Sequence, residues 1–184
     1  MLEKVYNSAR TILVIETTKG EVFGSFTSEP WRIQPLFFGS GESFLWRLKD
    51  AHSISSDNSQ KCDNDIVVYP FTGVDRYIQR CTRDKLWIGG GLWKRGECPF
   101  EDEPEGVGLS IDPDLQTGSS GSCATFSNCS LSKLGTGENS TGSAGNFEIL
   151  NLELWTMSPF YPESRAKAAE ARKLFIEQNS SRTL

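Results

Sequence analysis

The sequence predicts a mostly β domain with a minor α component (α+β): an antiparallel β-sandwich with a few short helices and a C-terminal amphipathic helix. Three observations predict it. Short runs rich in β-branched and aromatic residues recur, among them "TILVIET", "EVFGSF", "FLWRL", "IVVYPF" and "LWI", and turn-forming stretches separate them. Glycine supplies 17 of 184 residues and aromatics 11%, against a modest hydrophobic total of 37%, which suits a turn-rich sheet held by ring packing. Helical periodicity shows only near the C-terminus, and neither an internal repeat nor a heptad pattern is present. The length supports one core, so the expected organisation is one domain over 1–156 and a helical extension over 157–184.

The elements follow in order. Thr11 to Phe26 reads as a hairpin turning at Thr18, Lys19 and Gly20. "ESFLWRLKD" alternates Phe44, Trp46 and Leu48 against Ser43, Leu45 and Arg47, which predicts a strand with one well-packed face. Residues 51–65 are polar and aperiodic, as in an exposed loop. "IVVYPF", "RYIQRC" and "LWIGGG" then give three short strands, and the acidic, proline-bearing stretch 94–106 reads as a surface insertion. "GLSIDPDL" returns to the sheet and turns at Asp112 and Pro113, and residues 133–146 form a Gly/Ser/Thr/Asn loop. "FEILNLELW", Phe147 to Trp155, is nearly continuous in apolar residues, as a central strand covered on both faces would be. Beyond it Pro162 and Glu163 open a helix with Ala168, Ala171, Leu174 and Phe175 on one stripe and Arg172 and Lys173 in its last turns. Such a stripe packs on its own sheet or enters a partner's groove.

A net charge of −5 without any basic run argues against nucleic acid as a partner. The first residues lack a signal-peptide core, and no run nears the roughly 18 apolar residues of a membrane span, so a cytoplasmic location is expected. Five cysteines, Cys62, Cys81, Cys98, Cys123 and Cys129, are an odd set that suits a reducing compartment. In that compartment the Asn-x-Ser/Thr matches at Asn128, Asn139 and Asn179 carry no glycan.

The stretch Thr117 to Ser132, "TGSSGSCATFSNCSLS", concentrates the candidate chemistry. Cys123 or Ser122 as a nucleophile needs a base, and the single histidine, His52, lies in a hydrophilic segment with no sign of a rigid position. The run also misses the Gly-x-Ser-x-Gly elbow by one residue. A buried structural Cys123 is the simpler reading. Cys123 and Cys129 as a redox pair is a further one. Neither a Cys-x-x-Cys pair for zinc nor a phosphate-binding glycine motif occurs. Glu42, Asp112 and Glu153 are acidic positions within strand-like text, but nothing in their spacing makes them converge.

Together these stretches resemble a TLDc domain. The similarity runs in family order through "GEVFGSF" with Gly24, then Trp31, then "FFGSGESFLW" with Gly39 and Glu42, then "LWIGGG" with Gly89, Gly90 and Gly91. It continues through "GLSIDPDL" with Asp112, "GSSGSCATFSNCSLS" with Gly118, Ser120, Cys123, Thr125, Phe126 and Asn128, and "FEILNLELW" with Glu153 and Trp155. The resemblance implies a β-sandwich with few short helices, a link to protection against oxidative stress, and binding or regulation of the V-ATPase proton pump. It implies no catalytic residue, cofactor or metal, and these positions become structural or partner-surface residues. A cytoplasmic protein recruited to organelle membranes through a protein partner is the matching expectation. "LEKVY" at Leu2 to Tyr6 looks like the tail of a family segment that usually precedes this region, which suggests an N-terminally trimmed domain. Within the opening stretch, Cys123 and Phe126 are expected to pack and Asn128 to hold backbone.

Overall fold

The computed structural model describes residues 9–49, 66–90, 106–133 and 145–157. Ten strands lie in them: β1 Thr11–Thr17, β2 Val22–Thr27, β3 Gln34–Phe38, β4 Phe44–Leu48, β5 Ile66–Pro70, β6 Gln79–Cys81, β7 Leu86–Ile88, β8 Leu109–Ile111, β9 Thr117–Ser120 and β10 Gly145–Thr156. They form one sheet in the order β3-β6-β7-β8-β9-β10-β1-β2-β4-β5, with every pairing antiparallel. The described residues contain no helix. The helical extension read over 157–184 from Pro162 onward, the loop at 51–65, nearly all of the 94–106 insertion and His52 lie outside them.

The long strand β10 joins two wings. Gly145 to Glu148 pair with β9, whereas Ile149 to Thr156 pair with β1, across a register shift at Glu16 and Thr17. Hydrogen bonding therefore runs unbroken from one wing to the other. Both wings feed one core: Leu13, Ile15, Phe23 and Leu45 come from one side, Ile88, Leu109 and Ile111 from the other, and Phe147 from the junction. Phe23 and Phe147 meet edge to face with centroids 5.0 Å apart.

The hairpin forms where the sequence places it. Gly20, at φ 80°, takes the left-handed turn position, and its N–H donates to the Thr17 carbonyl at 2.9 Å. Leu13 and Ile15 alternate inward with Thr11 and Thr17, so burial in β1 follows the two-residue period of a strand. Thr11 bonds Thr27 across the pair at 2.8 Å and accepts from the buried Trp31 indole at 2.8 Å.

Two faces differ from expectation. In β4 the core side is Ser43, Leu45 and Arg47, while Phe44, Trp46 and Leu48 are half-buried on the outer side. The register sets this: Leu45 faces Ser25 and Arg47 faces Phe23, which in turn face Leu13 and Ile15 of the core. Among the described residues, β10 is central in the sheet but covered on one face only. Phe147, Ile149, Leu152 and Leu154 pack on the core, whereas Leu150 and Trp155 are 65% and 59% exposed. An apolar run alone does not reveal which of its residues face the core.

Candidate functional site

The segment from Thr117 to Lys133 is locked by its own polar side chains. Residues 124–127 make a tight turn with Ser127 at φ 49°, closed by an antiparallel bridge between Cys123 and Asn128. Inside it the Cys123 thiol donates to Asn128 Oδ1 at 3.0 Å. The Asn128 amide nitrogen donates to the Gly121 carbonyl at 2.8 Å and the Cys129 carbonyl at 2.9 Å. Asn128 thus spends both ends of its side chain on the turn, as a buried amide must.

Hydroxyl groups tie this turn to distant strands. Thr125 Oγ1 donates to Asp75 Oδ1 at 2.8 Å and accepts from the Gly90 N–H at 3.2 Å. Ser120 Oγ donates to the Gly108 carbonyl at 2.6 Å and accepts from the Leu131 N–H at 2.8 Å. At the far end Ser132 Oγ and the Lys133 N–H both donate to the Glu21 carboxylate, each at 2.7 Å. Glu21 is only 6% exposed, so a buried carboxylate pins the end of the segment to the β1–β2 hairpin.

Glycines make room for the lock. A Cβ on Gly89, which has φ +75°, would stand 2.6 Å from Cys123 Sγ and 3.0 Å from the Phe126 ring. One on Gly108 would stand 3.0 Å from the same sulfur and 2.8 Å from Leu45. The sulfur is therefore enclosed by backbone on two sides. Burial pushes the Cys123 thiol up to about 11, with backbone donors at Thr125 and Phe126 only partly opposing it and Asp75 adding to the rise. A thiol so placed is a poor nucleophile at neutral pH. Cys129 is exposed, with Sγ 3.2 Å from the Tyr69 hydroxyl, so the two sulfurs have different neighbours. Burial, together with that contact, raises Tyr69 to about 12.

The other motif positions divide by role. Gly24 sits where a Cβ would overlap the Leu13 carbonyl, Gly39 at φ +129° where one would strike Ile78, and Gly90 where one would strike Tyr77. Gly118 lies against Ser110 and Phe147, Phe126 is 1% exposed, and Gly91 lies outside the described residues. The three acids stand on separate elements. Glu42 is exposed in the turn before β4. Asp112 pairs with Lys85 at 3.5 Å and accepts from Thr117 at 2.7 Å. Glu153 accepts from the Trp155 indole at 2.8 Å. Ser122 is exposed in the loop just after β9.

The described residues hold no cluster suited to a metal ion. A recess beside Glu21 of about 50 Å³ and one beside Asp112 of about 110 Å³ both fall below the roughly 300 Å³ at which small-molecule sites begin. Sequence reasoning missed Glu21 and Asp75. Neither had a local signal: Glu21 shares its hairpin with Glu16 and Lys19, and Asp75 lies between strands.

These features define the class: an antiparallel β domain whose most distinctive segment turns its polar side chains inward to hold backbone. The chain belongs to the TLDc domain family, whose profile matches residues 1–158. It is 28% identical over 145 residues to oxidation resistance protein 1 of Yarrowia lipolytica, covering 78% of this chain and 48% of that protein. It is 31% identical over 144 residues to oxidation resistance protein 1 of Xenopus tropicalis, covering 78% and 12%. Nuclear receptor coactivator 7 of Gallus gallus is 27% identical over 145 residues, covering 79% and 12%. The matched region thus spans about half of the yeast relative and about an eighth of the vertebrate ones.

Proposed function

We propose that this chain is a non-catalytic protein-interaction module serving protection against oxidative stress, and that its partner is the V-ATPase proton pump. In this reading it is cytoplasmic and reaches organelle membranes through that partner, the wings of the sheet form the layers of a sandwich, and residues 157–184 are a helical extension of the 1–156 domain. Membership in the family that includes oxidation resistance proteins supports the stress role. The observation that carries the non-catalytic part is the bond from the Cys123 thiol to Asn128, made by a buried sulfur enclosed by Gly89 and Gly108. The motif cysteine is engaged in packing.

Pull-down with purified pump subunits at physiological salt tests the partner: recovery of a subunit is expected, and recovery of none overturns it. A thiol or serine probe tests the hydrolase alternative built on Cys123 or Ser122 with His52. Labelling should be unchanged in Cys123→Ala and Ser122→Ala. The exposed Cys129 favours one remaining reading, a redox pair with Cys123, which predicts a loss of about two hydrogens in mass under mild peroxide. The separate surroundings of the two sulfurs predict no such loss.

A further inference from the structure

The outer face of the β10-β1-β2-β4-β5 wing is an apolar surface built by register. Trp155, Ile12, Phe26, Phe44 and Pro70 stand opposite one another in a single row across five strands. Phe26 and Phe44 stack with centroids 5.1 Å apart. In the next row Val14, Trp46 and Val68 continue the surface, with the Trp46 indole lying against Gly24, where a Cβ would stand 3.1 Å from it. Trp155 and Val68 are 59% and 49% exposed. Between them Ile12, Val14, Phe26, Phe44 and Trp46 are half-buried, and an apolar surface of this breadth with exposed ends marks a site that something covers.

We propose that the face is the docking site of the chain's own segment 158–184. Three observations select that occupant. The first is position: β10 ends at Thr156, one residue beyond the Trp155 that begins the row, and the Met157 N–H donates to the Arg10 carbonyl at 2.6 Å, which fixes the exit at the margin of the face. The four residues 158–161 reach at most about 14 Å, so a helix opening at Pro162 starts beside the surface. The second is size. A helix over 162–178 measures about 25 Å at 1.5 Å per residue, and five strands span about 19 Å at their usual spacing, so the helix is long enough to cross the surface, with its Ala168, Ala171, Leu174 and Phe175 stripe, about 11 Å long, over the middle of it. The third is charge. In a chain of net charge −5 this segment carries five basic and three acidic residues, while Glu153, opposite Val14 in the second row, and Glu16, opposite Asn151 in the row beyond it, put carboxylates beside β10 and β1. Basic flanks with an apolar stripe complement an apolar face edged by carboxylates. The assignment is independent of the pump reading, since it concerns contacts within one chain.

The test compares the full chain, the chain ended at residue 157, and the full-length double variant Leu174→Asp with Phe175→Asp. With an apolar fluorescent dye as probe, both altered chains should bind at least about three-fold more than the full chain. A synthetic 158–184 peptide should reverse the gain in the shortened chain. Nuclear Overhauser contacts from the Leu174 methyls to those of Ile12 or Val14 are expected within the intact monomer, which keeps the proposal open to test if the shortened chain fails to fold. Equal dye binding by the full chain and the double variant overturns it. So does a full-length dimer that the double variant dissociates, because the occupant is then a second copy.

Discussion

The lock around Cys123 and the outer face of the β10-side wing invert the usual placement of side chains. In the lock, hydroxyls, an amide and a carboxylate are buried and paired, as Asn128, Ser120 and Glu21 are, while Asp75 pairs through Oδ1 and leaves its buried Oδ2 without a hydrogen bond. On the outer face, rings and aliphatic side chains stand outward from the sheet, half-buried or exposed. Buried polar groups are costly unless paired, so the lock is sensitive to the loss of any member. An outward apolar residue stabilises the isolated domain little, so its presence calls for a contact beyond the sheet. One region specifies the fold, and the other is surplus to it.

Breaking the lock should therefore cost far more than editing the face. Gly89→Val drives a branched side chain into Cys123 and Phe126 at a positive φ, and should lower unfolding free energy by about 3–5 kcal/mol in a urea titration. A loss below about 1 kcal/mol would show that the sulfur can move aside. Asn128→Ala leaves a thiol and two carbonyls without their partner and should cost about 2–3 kcal/mol, with Asn128→Asp recovering only the thiol bond.

Cys123→Ala should cost about 1–3 kcal/mol by calorimetry, with any loss of activity following the loss of stability. The same thiol gives a pH signature. Its folded pKa of about 11 lies above the ordinary thiol value of 9.0, so the folded state holds its proton more tightly; the stabilisation is complete below about pH 9 and disappears as pH rises through 11. Cys81, raised by burial to about 11, adds to the same window. Stability should fall by about 1–3 kcal/mol per thiol between pH 9 and 11, and Cys123→Ala should remove one share. In the chain ended at residue 157, where the face stands bare, Trp155→Ala should change stability by less than about 0.5 kcal/mol. A larger loss would erase the contrast between the two regions.

The strands were legible because local composition decides them: β1, β2 and β5 fall on their β-branched runs. Which face a strand buries was less so. β4 shows the reason, since Phe44 and Trp46 are bulkier than Ser43 and Arg47, yet register with β2 turns the smaller set inward. At the lock the resemblance picked out Cys123, Phe126 and Asn128, and packing and backbone bonding are what they do. Their supports stayed hidden because they are remote in sequence: Glu21 lies 111 positions from Ser132, and Asp75 lies 50 from Thr125. No local pattern carries such a pairing.

The shared strand has a consequence for biosynthesis. β10 is the last of the ten strands to leave the ribosome, and it supplies the ladder that joins β9 to β1. Until it emerges, each half-sheet presents a raw edge with unpaired amides and carbonyls, one along β1 and one along β9. At a translation rate of about 5–20 residues per second those edges stay open for several seconds. The nascent protein thus passes through a stage in which it is most in need of a chaperone, and final closure, the pairing of Thr156 with Thr11, waits for β10 to emerge.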